Sequence, residues 1–233
     1  MAQIIAQSLI DRVRSAADQQ NSNYISDDEI ITWLNVGAQE IYDILTEEVS
    51  DYAITIYVQN TTSGLDNYPL PDDFYRLRGV DVQLTPEIWT TIKRFNFTDR
   101  NVYRPFGFGY LRGIANIMYR ITGNNIYFIP TPQFPLNYFR IWYVPILTKI
   151  NVATDTIDDW GGGYEEYAVV SATIKALLKE ESDASAWLII KNELKDRLIT
   201  MASSRDNSEP ESVQDVRKQS LYFPFGLGGN YLP

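Results

Sequence analysis

One stretch constrains this chain more than any other: Ile25 to Glu48, ISDDEIITWLNVGAQEIYDILTEE. Ser26 followed by Asp27, Asp28 and Glu29 is a helix-start signal. The Ser26 hydroxyl can accept from the Glu29 amide while the Glu29 carboxylate reaches back to the Ser26 amide. Acids in the first turn also suit the positive end of the helix dipole. Ile30, Leu34, Ala38, Ile41 and Leu45 then recur in steps of three and four, one face of a helix. Thr32, Asn35, Gln39, Asp43 and Glu47 are predicted to turn outward.

A long one-sided helix needs cover, and the two ends of the chain supply it. Residues 3–18 predict a first helix with Ile5, Leu9, Val13 and Ala16 on one face. Tyr164–Glu181 predicts a third, striped by Tyr167, Val170, Ile174 and Leu177. Ser182 or Asp183 caps a fourth, striped by Trp187, Ile190, Leu194, Leu198 and Met201. Two helices joined by so tight a break form an antiparallel hairpin.

Between the helices the period changes. Tyr52–Val58, Arg78–Leu84, Thr90–Arg94, Met118–Thr122, Ile126–Ile129 and Tyr138–Val144 are rich in β-branched and aromatic residues, as strands are. Gly123-Asn124-Asn125 is a hairpin signal. Tyr68–Phe74 is a turn stiffened by Pro69 and Pro71, where Asp72 or Asp73 could cap a short helical turn. The fold class read from this order is α+β. A bundle of about four helices, residues 1–50 and 164–202, is interrupted by an inserted β domain, residues 51–163, built as a small sandwich or open barrel. Residues 203–233 form an extended C-terminal arm, a polar linker ending in LYFPFGLGGNYLP, which carries no charge.

Composition narrows the chemistry. The chain has no Cys and no His, so a thiol nucleophile, a thiolate metal site and the side chain best suited to proton transfer near neutral pH are all missing. No apolar run approaches the roughly 20 residues that span a bilayer, and the first residues lack a signal-peptide layout, which predicts a soluble protein made in a cytoplasm without a membrane anchor. Gly107–Gly109 and Gly161–Gly163 do not sit in a phosphate-loop context, and Asp155, Asp158 and Asp159 lack the spacing of a calcium loop. No cofactor is expected. The acid pairs Asp27/Asp28, Asp72/Asp73, Asp158/Asp159 and Glu165/Glu166 are the remaining acid–base equipment, each where a helix start, turn or joint explains it.

The net charge of −10 is unevenly spread: residues 1–51 hold ten acids and two bases, residues 52–163 nine acids and ten bases. That distribution argues against gripping nucleic acid, which needs clustered Lys and Arg. Residues 95–116 make an aromatic, Gly-rich loop too long for a mere connector. Its Phe97, Arg100, Tyr103, Arg104, Phe106 and Phe108 are candidate contacts with a neighbouring subunit or another protein. In the arm, Leu221, Tyr222, Phe223, Phe225, Leu227 and Tyr231 are candidate anchors on a neighbouring subunit or on a different protein.

Ser26–Tyr42 (SDDEIITWLNVGAQEIY) and Tyr68–Leu77 (YPLPDDFYRL) also carry a resemblance. With the order of elements over residues 1–202, they resemble the head-to-tail adaptor (connector) proteins of tailed, podovirus-like bacteriophages. The resemblance implies a structural, non-enzymatic virion protein of the neck or tail, assembled in the host cytoplasm. It implies a homo-oligomeric ring, a dodecamer, docked on the portal protein and passing the connection to a downstream tail or nozzle protein. DNA would pass through the lumen without specific binding, past the acidic helix, with Asp27, Asp28, Asp43 and Glu47 as candidate lumen-facing acids. Two other readings stand beside it: a carbohydrate-binding tail component using the aromatic loop, and a carboxylate-based glycan hydrolase.

Overall fold

The computed structural model describes residues 4–20, 24–49, 51–99, 117–131, 138–157 and 163–204. They form an α+β fold. Its described helices are α1 (Ala6–Ala16), α2 (Asp27–Glu48), α3 (Glu165–Lys179) and α4 (Ser185–Ser203). The segments of the C-terminal arm and most of the aromatic loop, including Arg100, Tyr103, Arg104, Phe106, Phe108, Leu221, Tyr222, Phe223, Phe225, Leu227 and Tyr231, lie outside the described residues.

The start of α2 is built as its sequence dictates. Ser26 Oγ accepts from the Glu29 amide at 3.3 Å, and the Ser26 amide donates to the Glu29 carboxylate at 3.1 Å. Ile30, Leu34, Ala38, Ile41 and Leu45 are all buried. The outward set divides. Thr32 and Glu47 are exposed, but Asn35 is part-buried and bonded twice to the backbone of Ile150, as donor at 2.8 Å and acceptor at 2.9 Å. Gly37, also buried, lies against α3: a Cβ there would stand 2.8 Å from the Ala168 Cα.

α3 is the central helix, touching each of the other three. Every residue from Tyr167 to Ile174 is buried. The predicted four-residue stripe is therefore too narrow, because Ala168, Ala172 and Ala176 let neighbours approach from other sides. α3 ends in a Schellman motif. Glu181 takes φ +58, its amide donates to Leu178 O at 3.2 Å, and the Ser182 amide donates to Leu177 O at 2.9 Å. α4 begins after Asp183, whose carboxylate accepts from the Ser185 amide at 2.8 Å. Only Leu198 and Ala202 of α4 are fully buried, and the predicted stripe members Ile190 and Met201 are exposed, so cover reaches only the later part of the Ile190–Leu194–Leu198–Ala202 row. At the other end, Ile5 is not on a helical face. It belongs to β1 (Ile4–Ile5), which pairs with β10 (Thr156–Ile157).

The strands between the helices form two open four-stranded sheets, with no closed barrel among the described residues. One sheet is ordered β2 (Thr55–Asn60), β9 (Tyr138–Pro145), β4 (Phe74–Thr85), β5 (Ile88–Thr91). The other is ordered β3 (Asn67–Pro69), β8 (Asn125–Ile129), β7 (Met118–Thr122), β6 (Lys93–Arg94). The first predicted strand thus starts three residues late, because residues 51–53 are a turn. No helical turn follows the prolines: Phe74 enters β4 directly, and Tyr68 and Pro69 already belong to β3. The β7–β8 hairpin closes on two residues, with Gly123 at φ +59 in the first position that a II′ turn needs. One apolar cluster draws on both sheets. In it, the rings of Tyr68 and Phe128 meet Phe139 of the other sheet, each at 5.0 Å.

The helices and sheets join at the end of β9. Val144 and Leu147 enter the helical core, and Tyr42 Oη donates to Pro145 O at 2.8 Å. Two glycine exchanges should shift stability in opposite directions. Gly37→Ala has the better helix former but forces α2 away from α3, and is expected to cost about 1–3 kcal/mol. Glu181→Gly relieves a left-handed residue and is expected to gain roughly 0.5–1 kcal/mol. Thermal unfolding by calorimetry should show the midpoint fall in the first and rise in the second.

Candidate assembly surfaces

The four acids assigned to a lumen do not share one environment. Asp27 pairs with Arg14 at 2.6 Å. Asp28 and Glu47 are exposed. Asp43 accepts from Tyr75 Oη at 2.7 Å and from Gln39 at 2.9 Å; the Asp43 hydrogen bond first, and then burial, raise the Tyr75 phenol above its usual range. Of the loop candidates, Phe97 is the described one. It is exposed, with the Arg120 guanidinium 5.1 Å from its ring centre.

One member of each described acid pair has a structural partner, as Asp27 has in Arg14. Asp73 accepts from Tyr143 Oη at 2.8 Å; burial first, and then Asp73, push that phenol up to about 12. Glu166 pairs with Arg12. Glu40 accepts from Tyr167 Oη at 2.9 Å and from Lys191 at 2.7 Å; burial and the Glu40 carboxylate raise the Tyr167 phenol. Glu29 takes both a cap role and Lys179, at 2.6 and 2.8 Å, and the Lys179 hydrogen bond leads in holding its carboxyl low. Among the described residues no group of three or more His, Cys, Asp or Glu side chains could hold a metal ion, and no helix is long and apolar enough to cross a membrane.

Sequence reasoning missed a cluster on the outer face of the β2–β9–β4–β5 sheet. Along β9, Phe139, Ile141 and Tyr143 point into the core, so alternation turns Arg140 and Trp142 outward. Asp81 lies opposite Arg140 on β4, and Thr91 lies opposite Asp81 on β5. The Asp81 carboxylate is buried and accepts from Arg140 Nε, Trp142 Nε1 and Thr91 Oγ1, each at 2.7 Å. Burial alone would push this carboxyl up, but the bonds from Trp142, Arg140 and Thr91 outweigh it and hold the group below the usual aspartate range. The Arg140 guanidinium lies 4.4 Å from the Trp89 ring centre and 5.0 Å from that of Trp142. The signal was present in YFRIWYV: a period-two strand whose outward positions are Arg and Trp.

Several described acids serve caps and ion pairs, while aromatic, apolar and charged side chains stand on outer faces, as in a contact-making protein. The comparison with known families agrees. The chain matches the SU10 adaptor protein family model over residues 5–214, and it belongs to that family. This accords with the likeness to phage head-to-tail adaptors carried by Ser26–Tyr42 and Tyr68–Leu77. No curated protein matches the chain.

Asp81→Ala leaves the Arg140 and Trp142 donors without their acceptor. It is expected to cost about 2–3 kcal/mol, below the loss for a fully buried pair because Arg140 retains access to water. The sign with pH follows from the depressed folded pKa: the contribution is complete above the ordinary aspartate range and fades as pH falls through the folded value. The gap between urea midpoints of the native chain and the variant should therefore begin to narrow only as pH falls below about 4.

Proposed function

We propose that this chain is a head-to-tail adaptor that assembles as a ring of twelve copies beneath the portal of a tailed phage. It joins the capsid to the next tail or nozzle protein and encloses a channel for DNA. Membership of the adaptor family over residues 5–214 is the observation that carries this reading. In it, the helices of residues 1–50 and 164–202 form one layer near the portal and lumen. The β domain, residues 51–163, reaches the neighbour or the tail, and residues 203–233 dock.

The charge distribution supports a non-adhesive channel. Residues 1–51 carry ten acids against two bases, and a surface of that sign repels phosphate at short range. Asp28 and Glu47, exposed near opposite ends of α2, are the acids best placed for this role. Docking must offset the entropy of ordering a segment. Burying Leu221, Tyr222, Phe223 and Phe225 at roughly 1.5–3 kcal/mol each would do so.

The test is mass photometry with negative-stain imaging of the protein alone and mixed with the portal ring of its own virus. The full chain is compared with one ending at Ser204, which keeps the buried Ala202. A closed ring added by the full chain and not by the shorter one is the expected result. Equal docking by both would remove the C-terminal segment as the anchor. A full chain that stays monomeric and ignores the portal would sink the adaptor reading.

A further inference from the structure

Near its start, α4 is apolar on every side. Trp187, Leu188, Ile189 and Ile190 follow one another, and at about 3.6 residues per turn four consecutive positions go once round a helix. A turn of that kind is expected where a helix is enclosed, not where one face meets water. Trp187 packs against Val170, Ile174 and Ala184. Leu188, Ile189 and Ile190 are instead 50%, 62% and 39% exposed. At the same end of the α3–α4 hairpin, Leu178 in the last turn of α3 is also exposed.

The charges around this turn are mostly acids. Glu181, Asp183 and Glu193 are exposed, and none of them has an ion-pair partner among the described residues. The nearby bases Lys179 and Lys191 are paired with Glu29 and Glu40. Lys195 and Arg197 stand further along α4, toward Ser203.

A segment of matching chemistry lies in the same chain. LYFPFGLGGNYLP, residues 221–233, carries no charge, and Arg217 and Lys218 come shortly before it. A cationic pair followed by an apolar run complements an apolar turn flanked by acids. The lengths agree as well. At about 1.5 Å per residue, α4 runs back roughly 21 Å from Ser203 to Ile189. Between Ser204 and Leu221 lie residues 205–220, and a coil of that length spans roughly 20–24 Å. Tethering favours this occupant over a separate molecule, because it holds the segment at about millimolar effective concentration. A second copy would bring its own charge of −10 and its own acids to the same place, and nucleic acid is repelled by those acids.

We infer that in the free protein residues 221–233 fold back on the apolar turn of their own α4, with Tyr222, Phe223 and Phe225 against Leu188, Ile189 and Ile190, and with Arg217 and Lys218 beside Glu181 and Asp183. Two surfaces that would each be adhesive alone then cover one another. Docking of the segment elsewhere exchanges one apolar contact for another and uncovers α4. The fold-back belongs to the free chain and does not depend on the ring.

The native chain has no Cys, so one introduced thiol reports its own cover. Ile189→Cys is placed in the full-length protein, with and without Tyr222→Ser, Phe223→Ser and Phe225→Ser, and its labelling by a maleimide is timed. The expected rate is about tenfold lower with the native segment than with the three serines. Glu87→Cys, at an exposed site between β4 and β5, should label equally in both backgrounds. Arg217→Glu with Lys218→Glu should raise the Ile189→Cys rate by about fivefold. A second measurement needs no thiol: the triple serine variant, though it has fewer apolar side chains, should bind more of a neutral apolar dye such as Nile red than the native chain does. Equal labelling rates at position 189 overturn the fold-back, and so does dye binding that falls in the triple variant, since the segment was then exposed. Protection that fades on about a hundredfold dilution assigns the cover to a second copy and also overturns it. Portal docking that persists beside any of these results leaves the adaptor reading standing.

Discussion

The rest of the structure depends on how closely α2 and α3 approach at Gly37 and Ala168. A Cβ at position 37 would meet the Cα of the opposite helix, so the two backbones touch with no side chain between them. Glycine in a helix interior costs about 1 kcal/mol against alanine, and here it permits a distance that no other residue allows. That spacing fixes what can surround α3. Alanines at 168, 172 and 176 continue the small-residue surface, and α1 and α4 pack onto what remains. Near the same level of α2, Asn35 holds the backbone of Ile150 by two hydrogen bonds, which ties the exit of β9 to the helix contact.

β9 carries a second division of labour. Its inward residues, Phe139, Ile141 and Tyr143, hold the two sheets together through apolar and ring contacts. Its outward residues, Arg140 and Trp142, are held by one buried carboxylate. A buried ion pair gives uncertain net stability, because desolvation works against the attraction. Its effect at Asp81 is to reduce the freedom of two large side chains on an outer face.

Much of the fold was legible. The capping box, the core face of α2, the β7–β8 hairpin and the alternation from helices to strands and back follow from local periodicity and turn chemistry. The losses have physical reasons. α3 was read as one-sided because alanine and threonine do not score as a core stripe, yet small residues are what a helix enclosed on several sides requires. The stop of α3 was located, but not its mechanism, since Glu181 occupies the left-handed position where glycine is usual. Asn35 was read as solvent-facing because a polar side chain that bonds remote backbone looks the same in sequence as one that bonds water. The Asp81–Arg140–Trp142 cluster was missed because its members are far apart in the chain and meet only through strand register. The family likeness was readable from two short motifs, neither of them near that cluster.

The absence of imidazole and thiol bears on the surface as well. The side chains that set the net charge of −10 are carboxylates, ammoniums and guanidiniums, whose ordinary ranges lie on either side of neutrality. Across the span of pH between them the pattern of acidic helix and near-neutral sheet barely changes. Ionic strength is then the variable that tunes these fields, through a screening length of about 8 Å in physiological salt. Contacts between such surfaces are set by salt and concentration, and are indifferent to the mild acidification or alkalinisation that would reset a histidine-bearing interface.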